Sequence, residues 1–225
     1  MSQRAASRHD DTASGVGRLW GRRLYLCTPD REDLEDFIAA CIQGGVDIVQ
    51  LREKKLGDRA LIDRARLAGA VCRDLGVPFI LNDRPDLALE VGADGVHVGQ
   101  DDVPISLVRK VMGGETIVGL STHAAEEFDA SLGSGADYIS AGPVVETPTK
   151  PGREGTGLGY VSHVAASETR PWFVTGGITP DTVGPVASAG GRRFVVVRYL
   201  TQAADPKAAA GRLREAIDKA LATLA

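Results

Sequence analysis

The sequence predicts an α/β fold, a (β/α)8 TIM barrel in a single domain. Three observations carry that expectation. Short apolar, β-branched runs recur from residue 22 onward, separated by stretches long enough for a helix. A small Gly- and Asp-containing signal returns where helical stretches hand over to those runs. Polar and charged clusters follow nearly every run, so they gather at one end of the parallel strands. Eight βα units in roughly 200 residues favour a closed barrel. A doubly wound open sheet is the competing arrangement.

The runs are LYLC (24–27), DIVQL (47–51), FIL (79–81), GVHV (95–98), TIVGLS (116–121), YISA (138–141), WFVT (172–175) and FVVV (194–197). Several are nearly continuously apolar, as parallel strands covered on both faces require. Between them, Glu32 to Gly44 carries Leu34, Phe37, Ile38, Cys41 and Ile42 at helical spacing. Ala60 to Leu75 does likewise, with Gly76 as a C-terminal stop. Pro206 to Leu224 reads as a last amphipathic helix. GGVD (44–47), VGAD (91–94) and SGAD (134–137) each end a helical stretch and lead into a strand, and AGGRR (189–193) does so more loosely. They read as a weak internal repeat.

The chain has 225 residues, 43% of them hydrophobic, enough for one substantial core. Net charge is -4 and there is no basic stripe, which argues against a nucleic-acid partner. No apolar run reaches membrane-spanning length, so no membrane partner is expected. Cys27, Cys41 and Cys72 sit in apolar surroundings without a CxxC pair, which suits reduced core thiols of a cytoplasmic protein. Residues 1–18 are small and polar, without the apolar segment of a signal peptide, and read as a disordered tail before a barrel domain of residues 19–225. The oligomeric state is left open, a homo-oligomer included.

The clusters that follow the runs have a consistent chemistry. Gln50-Leu51-Arg52-Glu53-Lys54 follows the second run, Asn82-Asp83-Arg84 the third and Gly99-Gln100-Asp101-Asp102 the fourth. Ser121-Thr122-His123 ends the fifth, Gly176-Gly177-Ile178 follows the seventh, and Val197-Arg198 ends the eighth. Arg52, Lys54 and Lys150 supply positive charge, while Asp83 and Asp102 supply hard oxygen ligands. That combination suits one magnesium ion shared between two carboxylates and a diphosphate, with Mn²⁺ left open. Either Asp alone would more simply cap a helix. The Gly176-Gly177 turn precedes a helix where barrels often bind phosphate, although a Gly pair by itself only marks a tight turn. After the sixth run comes GPVVETPTKPG (142–152), whose prolines exclude helix and central strand. It reads as a stiffened loop that presents hydroxyls and an ammonium.

Six motifs in fixed order then carry a family resemblance: QLREK at 50–54, NDR at 82–84, ADGVHVGQDD at 93–102, GLSTH at 119–123, GADYISAGPVVETPTK at 135–150 and TGGI at 175–178. Together they resemble thiamine-phosphate synthases over about residues 22–215. The resemblance implies a transferase of thiamine biosynthesis that joins hydroxymethylpyrimidine diphosphate to hydroxyethylthiazole phosphate, giving thiamine phosphate and pyrophosphate. It implies that Gln50, Arg52, Lys54 and Asn82 contact the pyrimidine diphosphate, with Lys150. By the same resemblance Ser121 looks like the contact to the pyrimidine ring, and Thr147, Thr149, Gly177, Val197 and Arg198 look like contacts to the thiazole phosphate. Asp83 and Asp102 look like the magnesium ligands, and the resemblance implies Arg52, Lys54, Ser121 and Lys150 as the catalytic set. Arg198 departs from the small residue, such as Ser, that many members carry there.

Several other polar residues need no catalytic role. His97, inside Val-His-Val, reads as a hydrogen-bonded structural residue. His123 sits near the site without a demanded role, and His9 and His163 read as tail and surface. Cys27 reads as packing, and Glu53 and Lys55 as solvated neighbours. The glycines of 155–159 imitate a phosphate loop but follow no strand, so they read as a loop into a helix. The rival functions are a thiazole tautomerase of the same superfamily, a non-catalytic thiamine-phosphate-binding barrel, and an unrelated phosphate-binding isomerase. The tautomerase would not need the diphosphate set, and the isomerase would need an acid/base pair that is not evident.

Overall fold

The computed structural model describes residues 16–147 and 154–224. Eight parallel strands close into a barrel in chain order: β1 (Leu24–Thr28), β2 (Ile48–Leu51), β3 (Phe79–Asn82), β4 (Gly95–Val98), β5 (Ile117–Thr122), β6 (Tyr138–Ala141), β7 (Trp172–Thr175) and β8 (Phe194–Val196). β8 pairs back onto β1, Tyr25 against Val195, so no sheet edge is left. Every apolar run of the sequence is a strand, with ends displaced by about a residue. The helices are α1 (Leu34–Gln43), α2 (Asp58–Asp74), α3 (Pro85–Val91), α4 (Ile105–Met112), α5 (Ala125–Ser131), α6 (Gly157–Ser167), α7 (Pro180–Ser188), α8 (Arg198–Thr201) and α9 (Pro206–Ala222). The single turn α8 is too short to leave a periodic signature in the sequence.

Side chains divide by strand parity. One set packs outward under the helices, as Leu26, Val49, Leu81, Val96, Val118, Ile139, Val174 and Val196 do. The other points into the barrel: Tyr25, Cys27, Ile48, Ile80, Ile117, Tyr138, Phe173 and Val195. Gly119 is required by this interior. A Cβ there would overlap the Tyr138 ring, and β5 pairs Gly119 directly with Tyr138. Tyr25, Tyr138 and Phe173 meet edge to face or tilted, with centroids 5.3 to 6.1 Å apart.

The recurrent Asp signal has a structural explanation. Each Asp sits just before an even-numbered strand and accepts a backbone N–H at the start of the strand before it. Asp47 accepts from Arg23 and Leu24, Asp94 from Phe79 at 2.9 Å, and Asp137 from Val118 at 2.8 Å. Those strand ends have no earlier partner, so the carboxylate satisfies donors the ladder leaves over. Each Asp also meets an arginine: Asp47 with Arg214, Asp94 with Arg18 and Asp137 with Arg109. Burial pushes the Asp47 carboxyl above the usual carboxylate range, against the pull of those N–H groups and Arg214. The expected tail of residues 1–18 overlaps the described residues only at 16–18. There Gly17–Leu19 forms a 3-10 turn, Arg18 bonds Asp94 at 2.6 Å, and Leu19 is fully buried in the barrel interior.

Candidate active site

The C-terminal ends of the strands surround a cavity of about 320 Å³. Gln50 and Arg52 reach it from β2 and its following loop, Asn82 from β3 and Ser121 from β5. Thr147 enters from the loop after β6, Gly177 from the turn after β7, and Val197 and Arg198 from the junction of β8 and α8. The strand parity that points Tyr25 inward also points Gln50, Asn82, His97, Ser121 and Ser140 into the mouth, and these polar side chains are buried.

Lys54, Asp83 and Asp102 form a second cluster, joined to the first through Asn82 and His97. Lys54 Nζ lies 2.8 Å from Asp83 Oδ2, and the Asp83 and Asp102 carboxyls are hydrogen-bonded to each other. Asp102 Oδ2 also accepts the Gly99 N–H at 2.8 Å. Asp83 has φ 63°, the one non-glycine residue with positive φ among the described residues, and its N–H donates to the His97 carbonyl at 2.8 Å. Left-handed backbone is costly for Asp unless its surroundings impose it. Here it turns the carboxylate toward Asp102. Burial pushes Asp83 up, with Asp102 adding to the effect and Lys54 opposing it. Burial also raises Asp102, but the Gly99 N–H, the bond from Asp83 and the charge of Lys54 outweigh it and hold it below the ordinary value. Two carboxyls in contact share either a proton or a cation. Two carboxylates are what Mg²⁺ takes from a protein when substrate oxygens and water complete its shell. Among the described residues no group of three metal-ligating side chains occurs.

The base of the loop at 142–152 is tightly held. Val144 N–H donates to the Thr175 carbonyl at 2.8 Å, and Thr156 and Gly157 donate to the carbonyls of Pro143 and Val144. A Cβ on Gly176 would meet Pro143 at 2.5 Å and the Val144 nitrogen at 2.6 Å, so the loop lies directly on the Gly-Gly turn. Gly176 and Gly177 have φ 96° and 70°, conformations that glycine adopts without strain. Thr182 Oγ1 accepts the Thr179 N–H at 2.9 Å and donates to the Gly177 carbonyl at 2.9 Å, which fixes the turn to the start of α7. Thr149 and Lys150 lie outside the described residues.

Beneath the mouth runs a buried polar chain that the sequence does not reveal. Cys27 Sγ lies 3.1 Å from Gln50 Oε1, and Gln50 Nε2 lies 2.8 Å from the Tyr25 hydroxyl. The hydroxyls of Tyr25 and Tyr138 are 2.9 Å apart. His97 Nδ1 is 2.9 Å from the Tyr138 hydroxyl, and Nε2 is 2.9 Å from Ser121 Oγ. Burial pushes both phenols up, so they stay protonated. His97 is therefore a hydrogen-bonded residue, as expected, but one that lines the cavity. Cys27 also lines it, while bonding Gln50 rather than serving only as packing. His123 turns away: its Nδ1 bonds the Gly142 carbonyl and its ring borders a shallow outer recess with Tyr160 and His163. His163 is an exposed partner of Asp129 at 3.1 Å. Glu53 is not merely solvated, since its carboxylate accepts the N–H groups of Lys55 and Asp30. The glycines of 155–159 do lead into a helix, α6.

A TIM barrel whose mouth unites Arg52, Arg198 and a Gly-Gly turn beside a paired-carboxylate cluster defines a class, the phosphate-handling (β/α)8 proteins. Comparison with known proteins narrows it. Residues 24–200 match the family model described as thiamine monophosphate synthase. The thiamine-phosphate synthase of Saccharopolyspora erythraea is 46% identical over 208 residues, covering 88% of this chain and 93% of that relative. That of Nostoc punctiforme is 45% identical over 188 residues, 84% of this chain but 54% of the relative, so the chain spans about half that relative's length. Among solved structures, thiamine phosphate pyrophosphorylase from Pyrococcus furiosus superposes with TM-score 0.82 at 28% identity, covering 91% of this chain and 98% of that one. A 3-hexulose-6-phosphate synthase from Salmonella typhimurium, 17% identical with TM-score 0.67, shares the fold alone. The chain belongs to the thiamine monophosphate synthase family, a family of transferases.

Proposed function

We propose that this chain is a thiamine-phosphate synthase that joins hydroxymethylpyrimidine diphosphate to hydroxyethylthiazole phosphate. The observation that carries the reading is the paired Asp83 and Asp102 with Lys54, set beside a cavity lined by Gln50, Arg52, Asn82 and Ser121. A thiazole tautomerase has no diphosphate to neutralise and no use for that cluster. The cavity volume of about 320 Å³ falls in the range of small-molecule sites. No helix among the described residues is long and apolar enough to cross a membrane.

In this reading Arg52 and Lys54 bind the diphosphate, and Asp83 and Asp102 are the residues that would hold Mg²⁺. When bound, that ion supplies charge neutralisation on the departing oxygens. Arg52 and Lys54 add fixed positive charge where negative charge develops as the bond from the methylene carbon to the diphosphate oxygen breaks. The bonding pair leaves with pyrophosphate, and the aminopyrimidine ring delocalises the positive charge on the carbon. The thiazole nitrogen then gives its lone pair to that carbon. It carries no proton, so no general base is needed. Ser121 orients the pyrimidine. Thr147, the Gly177 turn and the Val197–Arg198 backbone hold the thiazole phosphate, so positioning supplies much of the rate. Thr149 and Lys150 are assigned to the same anions by the family resemblance alone.

The test is to mix the purified protein with both substrates and MgCl₂ and to follow thiamine phosphate and pyrophosphate, with an EDTA control. Equal formation of both products, abolished by EDTA, is expected. Bound thiazole phosphate without product would overturn the reading in favour of a tautomerase or a binding barrel.

A further inference from the structure

We propose that the buried chain from Cys27 to Ser121 is a one-way hydrogen-bond relay, in which Tyr138 is a positioning residue that fixes the tautomer of His97 and so makes Ser121 a hydrogen-bond donor to the ligand. The inference rests on the synthase reading only for the ligand's identity. The direction of the relay follows from counting protons.

Gln50 sets the direction. Its Oε1 faces the Cys27 thiol at 3.1 Å and its Nε2 faces the Tyr25 oxygen at 2.8 Å. The opposite amide orientation would set an NH₂ group against sulfur, a weak acceptor. The Tyr25 oxygen thus receives a proton from Gln50. Its own single proton goes to the Tyr138 oxygen, 2.9 Å away. Tyr138 in turn has one proton to give, and His97 Nδ1 stands 2.9 Å from its hydroxyl. A neutral imidazole that accepts at Nδ1 carries its proton on Nε2. That N–H donates to Ser121 Oγ at 2.9 Å. The Ser140 hydroxyl also donates to Ser121 Oγ, at 3.4 Å. Both acceptor positions of Ser121 are then taken, and what it has left is its own O–H.

The consequence is a choice between ligand atoms. A Ser121 that can only donate selects a ring nitrogen acceptor of the aminopyrimidine over its exocyclic amino group. Neither tyrosine needs to touch the ligand for this. Both keep their protons because burial disfavours the phenolate.

The experiment is NMR of the imidazole nitrogens in the intact, histidine-labelled protein. The His97 signals are those missing from His97→Asn. The relay predicts a protonated Nε2 and an unprotonated Nδ1. The reverse tautomer overturns it. Tyr138→Phe removes the donor to Nδ1 and is expected to abolish that bias. It should raise KM for the pyrimidine diphosphate about tenfold, the scale of one hydrogen bond, and leave KM for the thiazole phosphate unchanged. An unaltered tautomer in Tyr138→Phe, or an equal rise in both KM values, contradicts a positioning role. If Tyr138→Phe does not fold, Tyr25→Phe breaks the relay one link earlier and is read in the same way. The wild-type tautomer needs no activity at all. A protein with the stated tautomer that makes no thiamine phosphate therefore sinks the functional reading alone, and an active protein with the reverse tautomer sinks the relay alone.

Discussion

At the N-terminal ends of the strands, Asp47, Asp94 and Asp137 each accept a strand N–H and each meet an arginine, at 2.9, 2.6 and 2.6 Å. At the opposite ends, Asp83 and Asp102 meet each other, with Lys54 on one side. The residue type is the same. What differs is how its capacity is used. At the first end the fold consumes every carboxylate, and the interactions complete strands and close the barrel around Leu19. At the second end two carboxyls are brought together, one of them on left-handed backbone, an arrangement that stability alone does not favour. The contrast teaches where to look for function: at carboxyls that the fold brings together without needing them to complete its strands.

The sharpest way to break the contrast is to remove one carboxylate from each end. Asp102→Ala should lower Mg²⁺-dependent turnover by about two to three orders of magnitude, the scale of losing a transition-state charge contact. Its Tm should be little changed, because part-buried Asp102 gives up only the Gly99 N–H bond and its contact with Asp83. Asp137→Ala should do the opposite. It leaves the Val118 N–H unpaired and Arg109 without its carboxylate, at a cost of about 3 kcal/mol. For a chain of this size that is a fall in Tm of roughly 6–12 °C, with kcat of the folded protein unchanged. Thermal melts and steady-state rates on both variants check the pair. A stability loss in the first or a turnover loss in the second would erase the distinction.

Two smaller changes sharpen the picture at the active end. Gly177→Ala forces a side chain onto left-handed backbone and into Val145. It should raise KM for the thiazole phosphate about tenfold, and Val145→Ala in the same chain should recover part of the loss. No recovery would show that the turn and the loop after β6 are not coupled. Arg198→Ser should raise the same KM only about threefold, less so at high salt, because Arg198 is exposed. A salt-independent effect would assign Arg198 a steric role instead.

The barrel was readable because parallel strands covered on both faces leave continuous apolar runs, and every run from LYLC to FVVV became a strand. The polar rim was readable because each cluster follows directly on its strand. Other features depend on partners far apart in the chain. The Asp repeat was visible, but its purpose needed Arg18, Arg109 and Arg214, up to 167 residues from the Asp they meet. Tyr25 and Tyr138 sit 113 residues apart inside apolar runs, where a tyrosine reads as core. Their hydroxyls matter only because closure of the barrel brings them together. His97 reads as hydrogen-bonded and is so, yet its place in the cavity depends on strand parity around the whole ring.

The most direct measurement is pyrophosphate release across a Mg²⁺ titration, for the wild type and Asp102→Asn side by side. The account predicts a saturable, EDTA-sensitive rate in the wild type. In Asp102→Asn it predicts a half-saturating Mg²⁺ concentration raised at least about tenfold, as expected for the loss of a charged ligand. Superimposable Mg²⁺ curves for the two proteins, or pyrophosphate release that ignores Mg²⁺, would contradict it.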